Sequence, residues 1–203
     1  MIRLNMYKTH PDIDLPRFST QQSACFDLSF QAWGKDGYSG FNRMNAPLYR
    51  PFTAEGRIKV MPGDRILVPT GLIFDIPEGY SVRIHARSGL SLKQGLVLAN
   101  SEAVIDSDYI QETFVMITNV SDVPAYINNG DRIAQAELVK KEDYVLWETT
   151  EAPQQKTDRV GGLGSTGVSR SEIMDKILET DAELLDVPQA PVKRGRGRPR
   201  KVV

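Results

Sequence analysis

Two short strings carry the residue types from which phosphate and nucleoside chemistry is built. Arg87-Ser88-Gly89-Leu90 sets a cation, a hydroxyl and a glycine side by side, a combination that lets a charge and a bare backbone close on a phosphate. Further along, Asp106-Ser107-Asp108-Tyr109 gathers two acids and an aromatic on a tight turn between strand-like runs. Such a turn can present one carboxylate to a water and one ring to a sugar or base. Either string alone also occurs in ordinary turns, so the elements around them decide how to read them.

Those elements are short strands. Arg57 to Met61, Arg65 to Pro69, Leu72 to Ile76, Ser81 to Ala86, Gly95 to Ala99, Thr113 to Thr118, Val123 to Ile127 and Arg132 to Val139 are rich in Val and Ile. Turn formers separate them: Pro62-Gly63-Asp64, Pro77-Glu78-Gly79 and Asn128-Asn129-Gly130-Asp131. Ser81 to Ala86 alternates, with Val82, Ile84 and Ala86 on one face. Regular short strands with little helix predict an all-β sandwich or jelly-roll-like barrel over residues 1–147. Residues 33–56 break the rhythm, holding Gly34, Gly37, Gly40, Pro47, Pro51 and Gly56 among Tyr38, Phe41, Tyr49 and Phe52. They read as a long inserted loop that either folds down on its own aromatics or presents a surface to a partner.

After Val139 the composition turns polar. Residues 148–167 form an arm ending in Arg159 to Gly167, whose four glycines make it either a slack linker or a strap that orders over a ligand. Ser169-Arg170-Ser171-Glu172 has capping-box spacing, and Ile173, Met174, Ile177, Leu178, Leu184 and Leu185 trace a helical face. A short helix is therefore expected in the extension, 168–203. The formal charge of −1 hides an asymmetry. Residues 171–186 carry six acids against Lys176, and residues 190–203 carry six bases and no acid.

With 203 residues and 40% hydrophobic content, one sizeable core is expected. A net charge near zero supplies no global field for nucleic acid or membrane. Cys25 is the lone cysteine, and with only His10 and His85 beside it a His/Cys zinc site is not expected. No run approaches membrane-spanning length. The expectation is a cytoplasmic protein without a membrane partner, or a nuclear one if its host has a nucleus.

Set in order, these strings resemble the five motifs of the trimeric dUTPase family. Ala24-Cys25-Phe26-Asp27-Leu28 is similar to the first, Arg87-Ser88-Gly89-Leu90 to the second and Asn100 through Tyr109 to the third. Gly130-Asp131-Arg132-Ile133-Ala134-Gln135 is similar to the fourth and Gly161-Gly162-Leu163-Gly164-Ser165-Thr166-Gly167 to the fifth. The resemblance covers residues 1–167 apart from 33–56. It implies a dUTPase-like jelly roll (β-clip) and hydrolysis of dUTP to dUMP and pyrophosphate, with Asp106 orienting and deprotonating a water that attacks the α-phosphorus in line. Ser88 and Gln135 would contact the phosphates, Arg87 would support them, and Gly89 would let the backbone approach. Mg²⁺ would be held chiefly by the phosphates, with Asp27 reaching it through water. A hairpin, Asn100 to Tyr109, would read the base: Asn100 and the backbone of Val104 and Ile105 would pair with the uracil edge and exclude a C5 methyl, while Tyr109 would pack on deoxyribose and exclude a 2′-hydroxyl.

The same resemblance implies a homotrimer whose sites lie at subunit junctions. Arg159, with Leu163, Gly164 and Ser165 of the fifth motif, would close over the nucleotide. Leu163 stands where the family has a stacking Phe, Arg159 lies one residue closer to the glycines than usual, Ile110-Gln111-Glu112 replaces Arg-Gly-Glu, and Cys25 replaces a common glycine. A dCTP deaminase of the same fold and a non-catalytic regulatory trimer are the rival readings. Outside the resemblance, Lys193 to Lys201 looks like an AT-hook. In its core, Arg196-Gly197-Arg198-Pro199, the arginines can enter the minor groove of A·T-rich DNA; a generic basic or nuclear-localisation-type cluster is the alternative.

Overall fold

The computed structural model describes residues 2–157. Its elements run β1 (Asn5–Lys8), β2 (Phe26–Ser29), β3 (Gly37–Phe41), β4 (Pro47–Pro51), β5 (Ile58–Val60), β6 (Arg65–Pro69), β7 (Leu72–Asp75), β8 (Tyr80–His85), α1 (Ser88–Gln94), β9 (Leu96–Leu98), β10 (Ala103–Ile105), β11 (Phe114–Asn119), β12 (Ala125–Ile127) and β13 (Arg132–Lys140). The chain divides after Val145. In the second unit, Leu146 to Thr157 is exposed and forms no regular element. The helix expected after Ser169, the fifth motif and the basic tail lie outside the described residues. No helix among the described residues is long and apolar enough to cross a membrane.

Antiparallel pairs build two larger sheets, β10-β8-β13-β2 and β4-β3-β6-β11-β9, and two small ones, β1-β7 and β12-β5. None closes on itself, so the sheets pack as an open jelly-roll-like fold rather than a sealed barrel. Period-2 alternation sets which faces meet. Phe26 and Leu28 point inward from β2, Val82 and Ile84 from β8, Ile66 and Val68 from β6, and Val115 and Ile117 from β11. With Phe30, Phe74, Ile127 and Ile133 they form one buried cluster.

Residues 33–56 are not a loop. Most of them form the β3–β4 hairpin, which joins the five-stranded sheet through β6. The glycines and prolines that read as loop formers have specific places. A Cβ on Gly40 would collide with the Arg65 carbonyl oxygen, so only glycine lets β3 lie this close to β6. Pro47 and Pro51 sit on β4, the sheet edge, where a missing N–H costs no ladder bond. Tyr38 donates its hydroxyl to the Lys59 carbonyl, and Arg50 pairs with Asp64.

Residues 100–109 also differ from the expected hairpin. They do not form a paired hairpin, because β9 pairs with β11 while β10 pairs with β8. The chain crosses from one sheet to the other at Ala99–Glu102, and β10 becomes the edge of the four-stranded sheet. Helix α1 also went unread, since Ser88, Gly89 and Ser91 are weak helix formers. It forms because the Arg87 carbonyl accepts from the Leu90 and Ser91 amides, and it stops at Gly95, in the left-handed region at φ 64°.

Arg50 and Asp64 form an unequal pair. The Asp64 side chain is 3% exposed and that of Arg50 33%. Arg50→Met strands a buried carboxylate and is expected to cost about 3–5 kcal/mol in urea unfolding. Asp64→Asn leaves a guanidinium that can turn to water and should cost about 1–3 kcal/mol; the opposite order contradicts this view of the hairpin's anchor.

Candidate active site

The four-stranded sheet aligns the first, second and fourth motifs. Asp27 on β2 lies opposite Gln135 on β13, and Gln135 lies opposite His85 on β8. Strand β8 runs directly into Arg87 and α1. Phe26, Leu28, Ala134 and Ala136 fill the inner face, which leaves Asp27, Gln135 and Glu137 on the outer one. Between Arg132 and Ala134 the register shifts. This bulge buries Ile133 and Ala134 in succession and turns Arg132, the partner of Ser29, onto the same face as Asp27 and Gln135.

Asp27 is the centre of the resulting array. Its Oδ1 takes the Arg87 Nε–H at 2.9 Å, and its Oδ2 takes Arg132 at 3.0 Å and the Ser19 hydroxyl at 3.3 Å. Arg87 also donates to the Arg132 carbonyl at 3.1 Å, and Gln135 donates to the Ala86 carbonyl at 3.0 Å. Two guanidiniums share one carboxylate, so the array keeps a surplus positive charge. Ser19, Ser23, Cys25, Asp27, Arg87, Ser88, Gly89 and Gln135 line a groove of about 320 Å³. A Cβ built on Gly89 meets nothing within 4 Å, so that side of the groove is open to a ligand. Burial, and then the charges of Glu137 and Asp27, push the Cys25 thiol above its ordinary range. A protonated thiol here adds no negative charge to the groove. His85 contacts Glu137 through Nε2 at 3.1 Å.

The third-motif residues lie elsewhere. Among the described residues, none of Asn100, Val104, Ile105, Asp106 or Tyr109 lines that groove. The Tyr109 amide donates to the Asp106 carbonyl at 3.1 Å, and the Tyr109 hydroxyl to the Glu112 carbonyl at 3.0 Å. Asp106 is exposed. Val104 and Ile105 lie on β10, which pairs with β8 on one side only, so its other edge presents unpaired backbone groups. Within one chain, the groove around Asp27 and the free edge of β10 are therefore separate places. Arg159, Leu163, Gly164 and Ser165 lie outside the described residues.

The sequence reading missed Arg132 as a site residue. Its signal was the break in alternation across Arg132-Ile133-Ala134 in an otherwise regular strand, the mark of a bulge.

The sequence pattern of the dUTPase family matches residues 53–167. The chain belongs to the dUTPase family. Deoxyuridine 5'-triphosphate nucleotidohydrolase of Dictyoglomus turgidum is 36% identical over 168 residues, covering 83% of this chain and all of that one. The enzyme of the same name from Rhizobium rhizogenes is 36% identical over 156 residues, covering 77% of this chain and 86% of its own. Among solved structures, the dUTPase of Staphylococcus bacteriophage 80alpha with dUPNHPP superposes with a TM-score of 0.63 at 21% identity, covering 83% of this chain and 100% of that one. A dUTPase of phage phi11 of S. aureus, in which a structural Mg(II) ion is coordinated, does so at 0.55 and 20% identity, covering 74% and 98%. These structural likenesses establish the dUTPase fold. Residues of the first, second and fourth motifs meet in the Asp27 groove, and Val104 and Ile105 of the third lie on β10.

Proposed function

We propose that this chain hydrolyses dUTP to dUMP and pyrophosphate by in-line attack of water on the α-phosphorus. The observation that carries the reading is the groove in which Asp27, Arg87, Ser88, Gly89 and Gln135 come together from two strands and a strand–helix junction. The surplus cation of the Arg87–Asp27–Arg132 array attracts a triphosphate, and Ser88 and Gln135 orient its oxygens. Asn100 and the free edge of β10 at Val104 and Ile105 pair with uracil, and the Tyr109 ring packs on the deoxyribose. Asp106 holds the water and takes its proton as the oxygen bonds to phosphorus; the electron pair of the breaking P–O bond leaves with pyrophosphate. Arg159, Leu163, Gly164 and Ser165 close over the nucleotide.

No group of three or more His, Cys, Asp or Glu side chains converges among the described residues, and the groove offers one carboxylate, already shared between two arginines. That donor set fits Mg²⁺ with phosphates and waters as its ligands and Asp27 in contact through water. When bound, the ion neutralises the triphosphate charge.

The two half-sites of one chain are brought together between copies in a homotrimer, the third motif of one facing the groove of another and the fifth motif arriving from the third. What supports this is the separation of Asp106 and Tyr109 from the Asp27 groove within the chain. The basic end, Lys193 to Lys201, with Arg196-Gly197-Arg198-Pro199 at its centre, holds the trimer near A·T-rich DNA through three linked copies.

Asp106→Asn is expected to lower turnover by at least about 10²–10⁴-fold while dUTP binding by calorimetry changes little; near-normal turnover contradicts the assignment. Mixing Asp106→Asn chains with chains truncated before Arg159 should recover activity that neither has alone, and well-mixed hybrids without recovery contradict shared sites. Removing residues 190–203 should abolish a preference for A·T-rich over G·C-rich duplex; equal, steeply salt-dependent binding to both duplexes by the full chain contradicts minor-groove recognition.

A further inference from the structure

Residues 33–52 precede the stretch that the family pattern matches, yet one of their side chains reaches the turn proposed to read the sugar. Lys35 Nζ meets Glu112 Oε2 at 2.8 Å, with the two side chains only 28% and 14% exposed. The other oxygen of Glu112 accepts the Gly71 amide at 2.9 Å, from the turn between β6 and β7. Glu112 is thus clamped from two sides, by the core and by the insertion. Its own backbone carbonyl accepts the Tyr109 hydroxyl at 3.0 Å, and the Tyr109 amide closes back on the Asp106 carbonyl at 3.1 Å. A short chain of contacts therefore runs from Lys35 through Glu112 and Tyr109 to Asp106.

We propose that Lys35 is a positioning residue for sugar recognition, fixing the Tyr109 ring through Glu112. The inference rests on the reading of Tyr109 as the residue that packs on deoxyribose. Its physical basis is the burial of Glu112. A carboxylate this poorly hydrated needs a countercharge, and without Lys35 it turns out toward water and carries the carbonyl that holds Tyr109 with it. Lys35 is itself held in place. Its ammonium lies 5.6 Å from the centre of the Phe114 ring, its amide donates to the Ala32 carbonyl at 3.0 Å, and the neighbouring Asp36 accepts from Tyr49 and from the Phe52 amide. The Arg50–Asp64 pair fastens the same hairpin to the turn before β6. The insertion is thus a rigid strut rather than a tether.

The test compares the full-length chain with Lys35→Met, Lys35→Arg and Glu112→Gln by hydrogen exchange and by steady-state pyrophosphate release from dUTP and UTP. In Lys35→Met, amides of residues 106–113 should exchange faster while those of 58–69 keep their protection. The dUTP-over-UTP ratio of kcat/KM should fall by between about tenfold and the 10²-fold that a misplacement of about 1 Å costs. Lys35→Arg should restore most of both. Glu112→Gln needs no countercharge, so on that background Lys35→Met should add little to either change. Unchanged exchange at 106–113, or faster exchange with an unchanged ratio, overturns the proposal. Loss of protection throughout Lys35→Met leaves the decision to Lys35→Met on the Glu112→Gln background, where further acceleration at 106–113 overturns the proposal. A wild-type chain that does not hydrolyse dUTP refutes the functional reading instead, and the exchange result still decides whether Lys35 holds the turn.

Discussion

One carboxylate shared between two guanidiniums fixes the geometry of the groove proposed to hold the phosphates. Asp27 joins β2 to the β8–α1 junction through Arg87 and to the start of β13 through Arg132. It does so from a largely buried position where a lone charge would be costly, and where two cations more than compensate it. The array depends in turn on the bulge at Ile133, because a regular strand would send Arg132 to the opposite face. The hydrophobic core beneath it, Phe26 and Leu28 against Ala134 and Ala136, uses small residues on β13 to let the strands lie flush, so the charged face above is set by packing below.

The proposed base-reading half depends on an edge. Strand β10 is three residues long and paired on one side only. Its short length limits the hazard that an exposed edge carries, and its free backbone groups provide a fixed pattern of donors and acceptors. In the proposed function this edge selects by backbone and does not depend on particular side chains at Val104 and Ile105. It does depend on the turns on either side holding still, which in this chain involves the Glu112 clamp and the Tyr109 hydroxyl.

Much of this was legible in the sequence. The eight strands expected between Arg57 and Val139 all exist, with ends displaced by a residue or two, because Val and Ile alternation and Pro-Gly or Asn-Gly punctuation act locally. The residues of the first, second and fourth motifs do meet. What escaped notice was non-local. The β3–β4 hairpin was hidden because Gly40 answers to the backbone of β6, Gly37 to Arg50 and Tyr49 of β4, and its prolines to a sheet edge, none of which is visible in a one-dimensional pattern. The hairpin that the family resemblance implies over Asn100 to Tyr109 is replaced by a crossing between sheets, because β9 pairs with β11 and β10 with β8. Arg132 was overlooked because a bulge shows itself only as one skipped beat in the alternation, and Lys35 because its partner lies 77 residues away.

The most direct measurement is steady-state pyrophosphate release from dUTP, dTTP, dCTP and UTP by the full-length chain in Mg²⁺, with ammonia release followed in parallel. Two half-sites that hold the phosphates at Asp27 and read uracil on the β10 edge predict turnover of dUTP favoured over dCTP by on the order of 10⁴. They also predict slow reaction of dTTP and UTP, and no ammonia. Comparable rates across the four nucleotides, or ammonia from dCTP, would contradict the account.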